Sequence, residues 1–374
     1  MMDVDSDTTQ RIARLTPLDA VLARIDAVVA PVAAREVALG AAIGRVLAGD
    51  VVVTARPRAA LALRDGWAVN SALTRDAGPY APAPLPEAIR IDAGTPLPAG
   101  ADAVAEIDAV VIRGGGAEAI APITAGEGVL PAGADADGAT LFAAEGQRLG
   151  VAAAAALAGA RVARLRIREP RLRVVRTRRA DPIIDAAAAM LTHAIAAAGG
   201  VTLDDLTSAQ GLEDALRRPD ADAVIAIGGT GRGRDDTSIA SLARLGRVEA
   251  HGIALSPGET AAFGLVDTRP VLLLPGRIDC ALAVWLLLGT RVLARLAASR
   301  EEPHGATARL TRKVASNLGL AEFIPVLLRD GDAEPLGSGY LPLQTIARAD
   351  GWILVAADRE GHPAGTPVMV RPWP

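Results

Sequence analysis

The sequence of 374 residues contains one cysteine (Cys280), one lysine (Lys313) and only 2% aromatic residues. A single cysteine excludes a disulfide within the chain, and no Cys and His spacing is typical of a zinc site. The few aromatic side chains leave no stacking platform for nucleic acid, and the net charge is −4 at pH 7. We therefore predict no nucleic-acid partner and a core of Ala, Val, Leu and Ile.

Long hydrophobic runs are also missing. The longest ones, at 151–160 and 281–289, are too short to span a bilayer. The first ten residues are acidic and polar, which is not typical of a signal peptide. We predict no membrane contact, a cytoplasmic location and a disordered tail over residues 1–12.

Strands that alternate with helices are the main feature of residues 170–302. Asp and Pro precede a predicted helix and two glycines follow it, and these residues are typical of the start and the end of a helix. This alternation predicts a doubly wound, mostly parallel sheet. The predicted elements are a strand at 171–175, a helix between Asp181 and Gly199, a strand at 223–227, a helix after Asp236, strands near 248–254 and 270–274, and a helix at 279–297.

The remaining chain divides into regions whose sequence patterns predict different secondary structure. Short β-type runs broken by Pro and Gly predict a small β domain with a hairpin turn at 114–116. Helical spacing predicts helices at 17–29, 41–47 and 149–160. The fold class is thus multidomain α/β plus β. Its predicted domains are a helical linker domain (13–52 and 139–169), an inserted β domain (53–138), a doubly wound α/β domain (170–302) and a C-terminal β domain (303–374).

A glycine-rich loop follows the apolar strand at 223–227. The loop contains Gly228, Gly229, Gly231 and Gly233, and Asp236 follows it. Glycines let backbone N–H groups approach a ligand, and ligands bind at the carboxyl ends of strands in open α/β sheets. The alternative is a plain turn in which Asp236 is a helix N-cap.

Eight short motifs follow one another along nearly the whole chain. They are VALGAAIGRVLAGDVVV (37–53), RDGWAV (64–69), AGTPLPAGADAV (93–104), GEGVLPAGAD (126–135), IGGTGRGRDD (227–236), HGIALSPGETAAFG (251–264), LLPGRIDCA (273–281) and GSGYLPLQTIARADG (337–351). In this order they resemble the molybdopterin molybdenumtransferase family, which includes bacterial MoeA and the E domain of gephyrin.

The resemblance implies insertion of molybdate into adenylylated molybdopterin with release of AMP, assisted by Mg²⁺, in a homodimer. It implies that Asp65 and Asp236 are catalytic and hold the metal ion. The implied ligand-binding residues are Gly228, Gly229, Thr230, Gly231, Gly233, Asp135, Ser256, Pro257, Gly258, Pro275, Gly276, Arg277 and Ser338. Backbone N–H groups of the glycine loop suit a phosphate, and carboxylates suit the cation.

The sequence departs from the family where the molybdate oxyanion is expected to bind. Two family lysines are Ser256 and Glu259 here, a family glutamate is Ala180, and a family threonine is Ala93. A glutamate repels an oxyanion unless another cation compensates, and Arg277 is the candidate for that role. These losses support an alternative function, a homologue that binds molybdopterin or finished cofactor and hands it to a partner molybdoenzyme.

A third hypothesis, a dinucleotide-dependent oxidoreductase, lacks a G-x-G-x-x-G motif after the strand at 171–175. Other polar side chains have ordinary structural explanations: packing of His251 within its strand and burial of the Cys280 thiol. The arginines Arg176, Arg178 and Arg179 are either a solvated cluster or a new phosphate or partner site.

Overall fold

The computed structural model describes residues 10–178, 180–203, 211–301 and 304–374. Residues 1–9, Arg179 and the predicted boundary at 302–303 lie outside the described residues. The chain forms two compact units, one of residues 1–49, 145–154 and 163–374, the other of residues 50–144 and 155–162.

The larger unit contains a six-stranded sheet. The first four strands in spatial order run parallel to one another. Each of the last two pairs antiparallel with the strand before it. In spatial order they are Val201–Leu203, Arg171–Arg176, Ala223–Ile227, Arg269–Leu274, Ala262–Val266 and Arg247–His251. Its helices are Pro182–Ala197, Gly211–Arg217, Ser238–Leu245 and Ile278–Ala297. The doubly wound α/β domain that the sequence predicts is confirmed.

Local signals explain these elements. The Asp181 carboxylate accepts hydrogen bonds from the Ile183 and Ile184 amides, so Asp181 caps the Pro182–Ala197 helix as predicted. The Ala223–Ile227 strand is buried at every residue, which explains its unbroken apolar sequence.

A second sheet of the larger unit contains the C-terminal strands. Ala321–Arg329 pairs with both Asp332–Pro335 and Gly351–Val355, which closes the sheet into a barrel-like ring. The sheet's strands are Thr16–Pro17, Ile253–Ser256, Ala321–Arg329, Asp332–Pro335, Ala306–Leu310, Pro367–Pro372 and Gly351–Val355. Val314–Ala315 pairs separately with Gly361–His362, and one helix, Leu343–Arg348, lies in this region.

The N-terminal part of the larger unit adds two helices, Leu18–Val28 and Leu39–Ala42. It also has a three-stranded sheet of Arg35–Ala38, Arg164–Arg168 and Val46–Leu47. The helix predicted at 41–47 is therefore wrong after Ala42. Gly44 has a left-handed φ of 78°, which ends the helix and starts a strand.

The smaller unit is built of short antiparallel strands. Gly114 and Gly115 form the turn of the predicted hairpin, which confirms that prediction. The strand pairs are Gly66–Val69 with Ile89–Ile91 and with Ala103–Ala105, Val110–Arg113 with Gly116–Ala119, Gly116–Ala119 with Ala83–Pro84, Leu61–Ala62 with Val129–Leu130, and Val51–Val53 with Thr140–Ala143. The Val151–Gly159 helix follows Thr140–Ala143 in the chain.

The strand predicted near 248–254 is two strands that belong to different sheets. Arg247–His251 ends at Gly252, whose φ is 81°, and Ile253–Ser256 pairs with Ala321–Arg329. A glycine in the left-handed region redirects the chain, so one predicted strand supplies both sheets. The sequence did not predict the strand Ala262–Val266.

The Ile278–Ala297 helix is the longest apolar helix of the described residues. By length and composition it could cross a membrane, but 72% of its most apolar window is buried within the protein. Trp285 opens a π-helical turn at Trp285–Gly289, and a Cβ on Gly289 would lie 2.1 Å from the Trp285 ring. This helix therefore serves as the core of the larger unit, as the cluster of buried residues around Trp285, Phe263 and Phe323 shows.

Candidate functional site

The glycine loop (residues 228–236) begins where the buried Ala223–Ile227 strand ends. Gly228 and Gly229 have φ values of 97° and 70°, a region that side chains strain. A Cβ on Gly228 would lie 2.5 Å from Thr177 Oγ1, and one on Gly229 would lie 2.4 Å from Ser238 Oγ. Both glycines are required by the backbone shape and by close neighbours.

Asp236 closes the loop rather than capping the following helix. Its Oδ2 accepts a hydrogen bond of 2.9 Å from the Gly233 amide, and its Oδ1 accepts one of 3.1 Å from Arg178 Nη2. The N-cap of the Ser238–Leu245 helix is Thr237, which makes no side-chain capping bond. The alternative interpretation of Asp236 as an N-cap is therefore wrong.

Gln10 packs on the glycine loop from 219 residues away. Its Nε2 donates to the carbonyl oxygens of Gly229 (3.2 Å) and Gly231 (2.8 Å), and Gln10 is only 8% exposed. A peptide's C=O and N–H point in opposite directions, so the Thr230 and Arg232 amides face away from Gln10. The predicted disordered tail is thus wrong at its last residues, and sequence reasoning missed Gln10.

Three loop amides are the candidates for an anion site. The hydrogen bonds of the described residues do not use the N–H groups of Thr230, Gly231 or Arg232. The Thr230 hydroxyl is buried and shares a 3.0 Å hydrogen bond with the Thr260 hydroxyl, which holds the loop in place. Successive free amides in a glycine loop form a concave site for an anion.

His251 lies against the same loop. Burial lowers the pKa of its imidazole below the ordinary value, the Thr230 backbone opposes that shift, and the charge of Arg232 adds to it. Its buried Nε2 has no hydrogen-bond partner among the described residues. This histidine is therefore neutral at pH 7 and packs as a core residue, as expected.

The turn at Pro275-Gly276 reaches the glycine loop. A Cβ on Gly276 would lie 3.5 Å from the Gly228 Cα, and Gly228 donates a 2.8 Å hydrogen bond to the Leu274 carbonyl. The structure thus brings together the predicted residues of the glycine loop and Pro275-Gly276.

Glu259 and Arg277, two of the residues predicted near the oxyanion, lie in a charged cluster with Asp279, Cys280 and Tyr340. Arg277 donates from Nε to Asp279 Oδ1 at 3.0 Å and from Nη2 to Asp279 Oδ2, and its guanidinium lies 4.7 Å from the Tyr340 ring centroid. Asp279 is 3% exposed and also accepts a bond from the Leu341 amide. The charge that Arg277 was predicted to offer to an anion is already paired.

The neighbouring loop adds negative charge to this cluster. Ser256 is buried, and Glu259 Oε2 accepts a 3.1 Å hydrogen bond from the Gly258 amide. Burial, together with the charges of Asp279 and Glu259, raises the pKa of the Cys280 thiol to about 12, and the charge of Arg277 opposes this shift. Cys280 is therefore an inert buried thiol, as expected.

The other predicted residues lie elsewhere. Asp65 and Asp135 are exposed residues of the smaller unit, where Asp65 Oδ1 accepts a 2.8 Å bond from the Ala93 amide. Ser338 is exposed beside Arg312 and Lys313 in a shallow pocket of the C-terminal region. Pro257 follows a cis peptide bond after Ser256.

The Mg²⁺ ion that the resemblance implies would compete with existing contacts at Asp236. Both carboxylate oxygens are engaged, one by the Arg178 guanidinium and one by a backbone amide. Nowhere in the described part of the chain do three or more His, Cys, Asp or Glu side chains form a group that could hold a metal ion. The metal role of Asp65 and Asp236 stays a prediction.

A glycine loop thus lies at the carboxyl edge of parallel strands, as in many α/β domains that bind phosphorylated ligands. Residues 172–295 match the family model described as "Probable molybdopterin binding domain". Residues 16–160 match the MoeA N-terminal region (domain I and II), and residues 307–373 match the MoeA C-terminal region (domain IV). The chain belongs to the MoeA-type molybdopterin biosynthesis family.

Known proteins agree with this assignment. A molybdopterin biosynthesis MoeA protein from Pyrococcus horikoshii has a TM-score of 0.77 and 25% identity, covering 96% of this chain and 100% of that one. A molybdenum cofactor biosynthesis protein from Pyrococcus furiosus shares the fold, with a TM-score of 0.62 and 18% identity over 96% of this chain and 100% of that one. A Methanocaldococcus jannaschii protein named for molybdopterin biosynthesis is 32% identical over 152 residues, which are 40% of this chain and 36% of that relative.

Proposed function

We propose that this chain binds adenylylated molybdopterin through the glycine loop and acts in its conversion with molybdate, which releases AMP. The observation that carries the proposal is the set of unused amides at Thr230, Gly231 and Arg232, at the carboxyl edge of the parallel strands. Backbone N–H groups with this arrangement bind phosphate without a side-chain charge. The match to a molybdopterin-binding family supports the pterin as the ligand.

A second function is favoured by the charged cluster. Arg277 is bound to Asp279, and Glu259 adds a negative charge where an oxyanion would bind. This arrangement supports a homologue that binds molybdopterin or finished cofactor and passes it to a partner molybdoenzyme, with inefficient molybdate insertion. Both candidates use the same glycine loop, and they differ only in whether the oxyanion is bound.

One experiment separates the two functions. The full chain is incubated anaerobically with adenylylated molybdopterin and molybdate, with and without Mg²⁺, and AMP release is measured. Molybdate-dependent release at physiological concentrations supports insertion. Tight pterin binding without release supports the carrier, and absence of pterin binding contradicts both.

Assembly is part of the proposal. We propose a cytoplasmic homodimer, because the resemblance implies it and the alanine-rich helices supply little aromatic bulk for isolated cores. Light scattering at micromolar concentration should give about twice the chain mass of 38.2 kDa. A monomer would contradict this part alone.

A further inference from the structure

Arg178 lies next to the glycine loop, two residues after the Arg171–Arg176 strand ends. Its guanidinium donates to Asp236 Oδ1 at 3.1 Å, which is its one hydrogen bond among the described residues. The Arg178 side chain is 50% exposed, whereas the Asp236 side chain is 10% exposed. The Arg178 side chain therefore covers the Asp236 carboxylate. The outer face of Arg178 is exposed to solvent.

Both oxygens of the carboxylate already accept a hydrogen bond. Asp236 Oδ2 is held by the Gly233 amide at 2.9 Å, inside the loop itself. A divalent ion at Asp236 would meet the positive charge of the guanidinium at close range, and Mg²⁺ demands near-octahedral geometry from its oxygen ligands. Arg178 already supplies positive charge at this point.

The same guanidinium has donors to spare. Arginine carries five N–H groups in a planar fork that matches phosphate oxygens. The unused amides of Thr230, Gly231 and Arg232 belong to the loop that Asp236 closes. A phosphate held by these amides would meet a fixed cation at the loop's closing residue, as a charge-assisted contact requires.

We propose that Arg178 takes the place of a divalent cation at this site, so that the diphosphate of the ligand binds to the loop amides and Arg178 without Mg²⁺. The inference rests on the proposed function, because it uses the same loop and the same class of ligand. Asp236 is then a positioning residue, which orients Arg178 and the loop.

The test measures binding of ADP, as a diphosphate probe, to the full chain by calorimetry in EDTA and in Mg²⁺. We expect native dissociation constants that agree within about twofold between the two buffers. Arg178→Gln should weaken binding at least about tenfold, because a charge-assisted contact is lost. Arg178→Lys should restore part of it, since lysine keeps the charge without the fork.

Arg348→Gln is the matched control, because Arg348 is an exposed arginine outside the glycine loop. It should change affinity by less than about threefold, and a larger loss would indicate general charge attraction instead of a specific Arg178 contact. Binding that requires Mg²⁺, or an Arg178→Gln variant with native affinity, overturns the inference and leaves the proposed function intact. Absence of ADP binding in both buffers overturns the phosphate role of the loop itself.

Discussion

The glycine loop and the charged cluster use their polar groups in opposite ways. The loop is closed by Asp236 and supported by Gln10, yet the amides of Thr230, Gly231 and Arg232 make no hydrogen bond to the residues that the structure describes. In the charged cluster, Arg277 is bound to Asp279, and the burial of Asp279 makes that pairing necessary. The two arginines differ in how they are held, because Arg178 donates one hydrogen bond to Asp236, whereas Arg277 donates two to Asp279 and lies on the Tyr340 ring.

The largest effect is expected when lysines are introduced into the charged cluster. An anion about 4 Å from Glu259 costs roughly 4 kcal/mol at an effective dielectric of 20, close to a thousandfold in affinity. Ser256→Lys with Glu259→Lys should therefore raise molybdate-dependent AMP release by up to about a thousandfold, with pterin affinity nearly unchanged. Adding Ala180→Glu should raise molybdate-dependent AMP release further if the family glutamate is also required.

The design includes variants that guard against misfolding. Ser256 is buried, so Glu259→Gln alone removes the repulsion without adding bulk, and it should recover much of the gain in AMP release, up to about a thousandfold. Glu360→Lys, at an exposed position, is the control for net charge. Efficient native turnover at low molybdate would contradict the prediction and exclude the carrier function.

The next largest effect is expected when a side chain is introduced into the glycine loop. Gly229→Val places a side chain at φ 70° and 2.4 Å from Ser238 Oγ. We expect pterin or ADP affinity to fall at least about a hundredfold, since the amides lose their alignment, with strain of about 1–2 kcal/mol from the backbone alone. Calorimetry and thermal unfolding measure the two effects separately.

Gly319→Val is the matched control, because Gly319 has φ 88° and a Cβ added there would have no neighbouring atom within 4 Å. The Gly319→Val variant should lose a similar amount of thermal stability. It should bind the ligand with native affinity. If both variants bind equally well, the glycine loop is only a turn.

A smaller effect concerns the support of the loop from outside. Gln10→Ala removes two hydrogen bonds to the Gly229 and Gly231 carbonyls. At about 1 kcal/mol for a typical hydrogen bond, ligand affinity should fall roughly fivefold. Hydrogen exchange of the loop amides should speed up in this variant and stay native in Gln344→Ala, an exposed glutamine. Unchanged exchange would show that Gln10 does not position the loop.

The smallest effect is a pH dependence at His251. Its pKa is lowered by burial, so the unfolded state binds the proton more readily than the folded state. The stabilisation is complete above the unfolded pKa of about 6.5 and is lost as the pH falls below it. Urea unfolding from pH 7.5 to 5 should show a weaker decline in His251→Gln than in His193→Gln. Equal declines would place the acid sensitivity elsewhere.

The sequence predicted the parts of the site that local chemistry controls. A buried apolar strand followed by glycines produced the loop, and Asp181 with Pro182 produced the helix start that the structure has. It did not predict the Asp236 contacts, because the N-cap interpretation considered only neighbours in the chain. The break at Gly252 was missed for the same reason, since Val248 before it and Ile253 after it are both typical strand residues.

The sequence by itself determined the fold class, the family and the place of the glycine loop, because strand, turn and helix preferences act over a few residues. Only the tertiary structure decided which charges are paired. Gln10 reaches the loop across 219 residues of sequence, Arg178 reaches Asp236 across 58, and Asp279 is held by the Leu341 amide across 62. Such pairings depend on where distant segments meet in the folded chain, and burial then fixes how strongly each charge needs its partner.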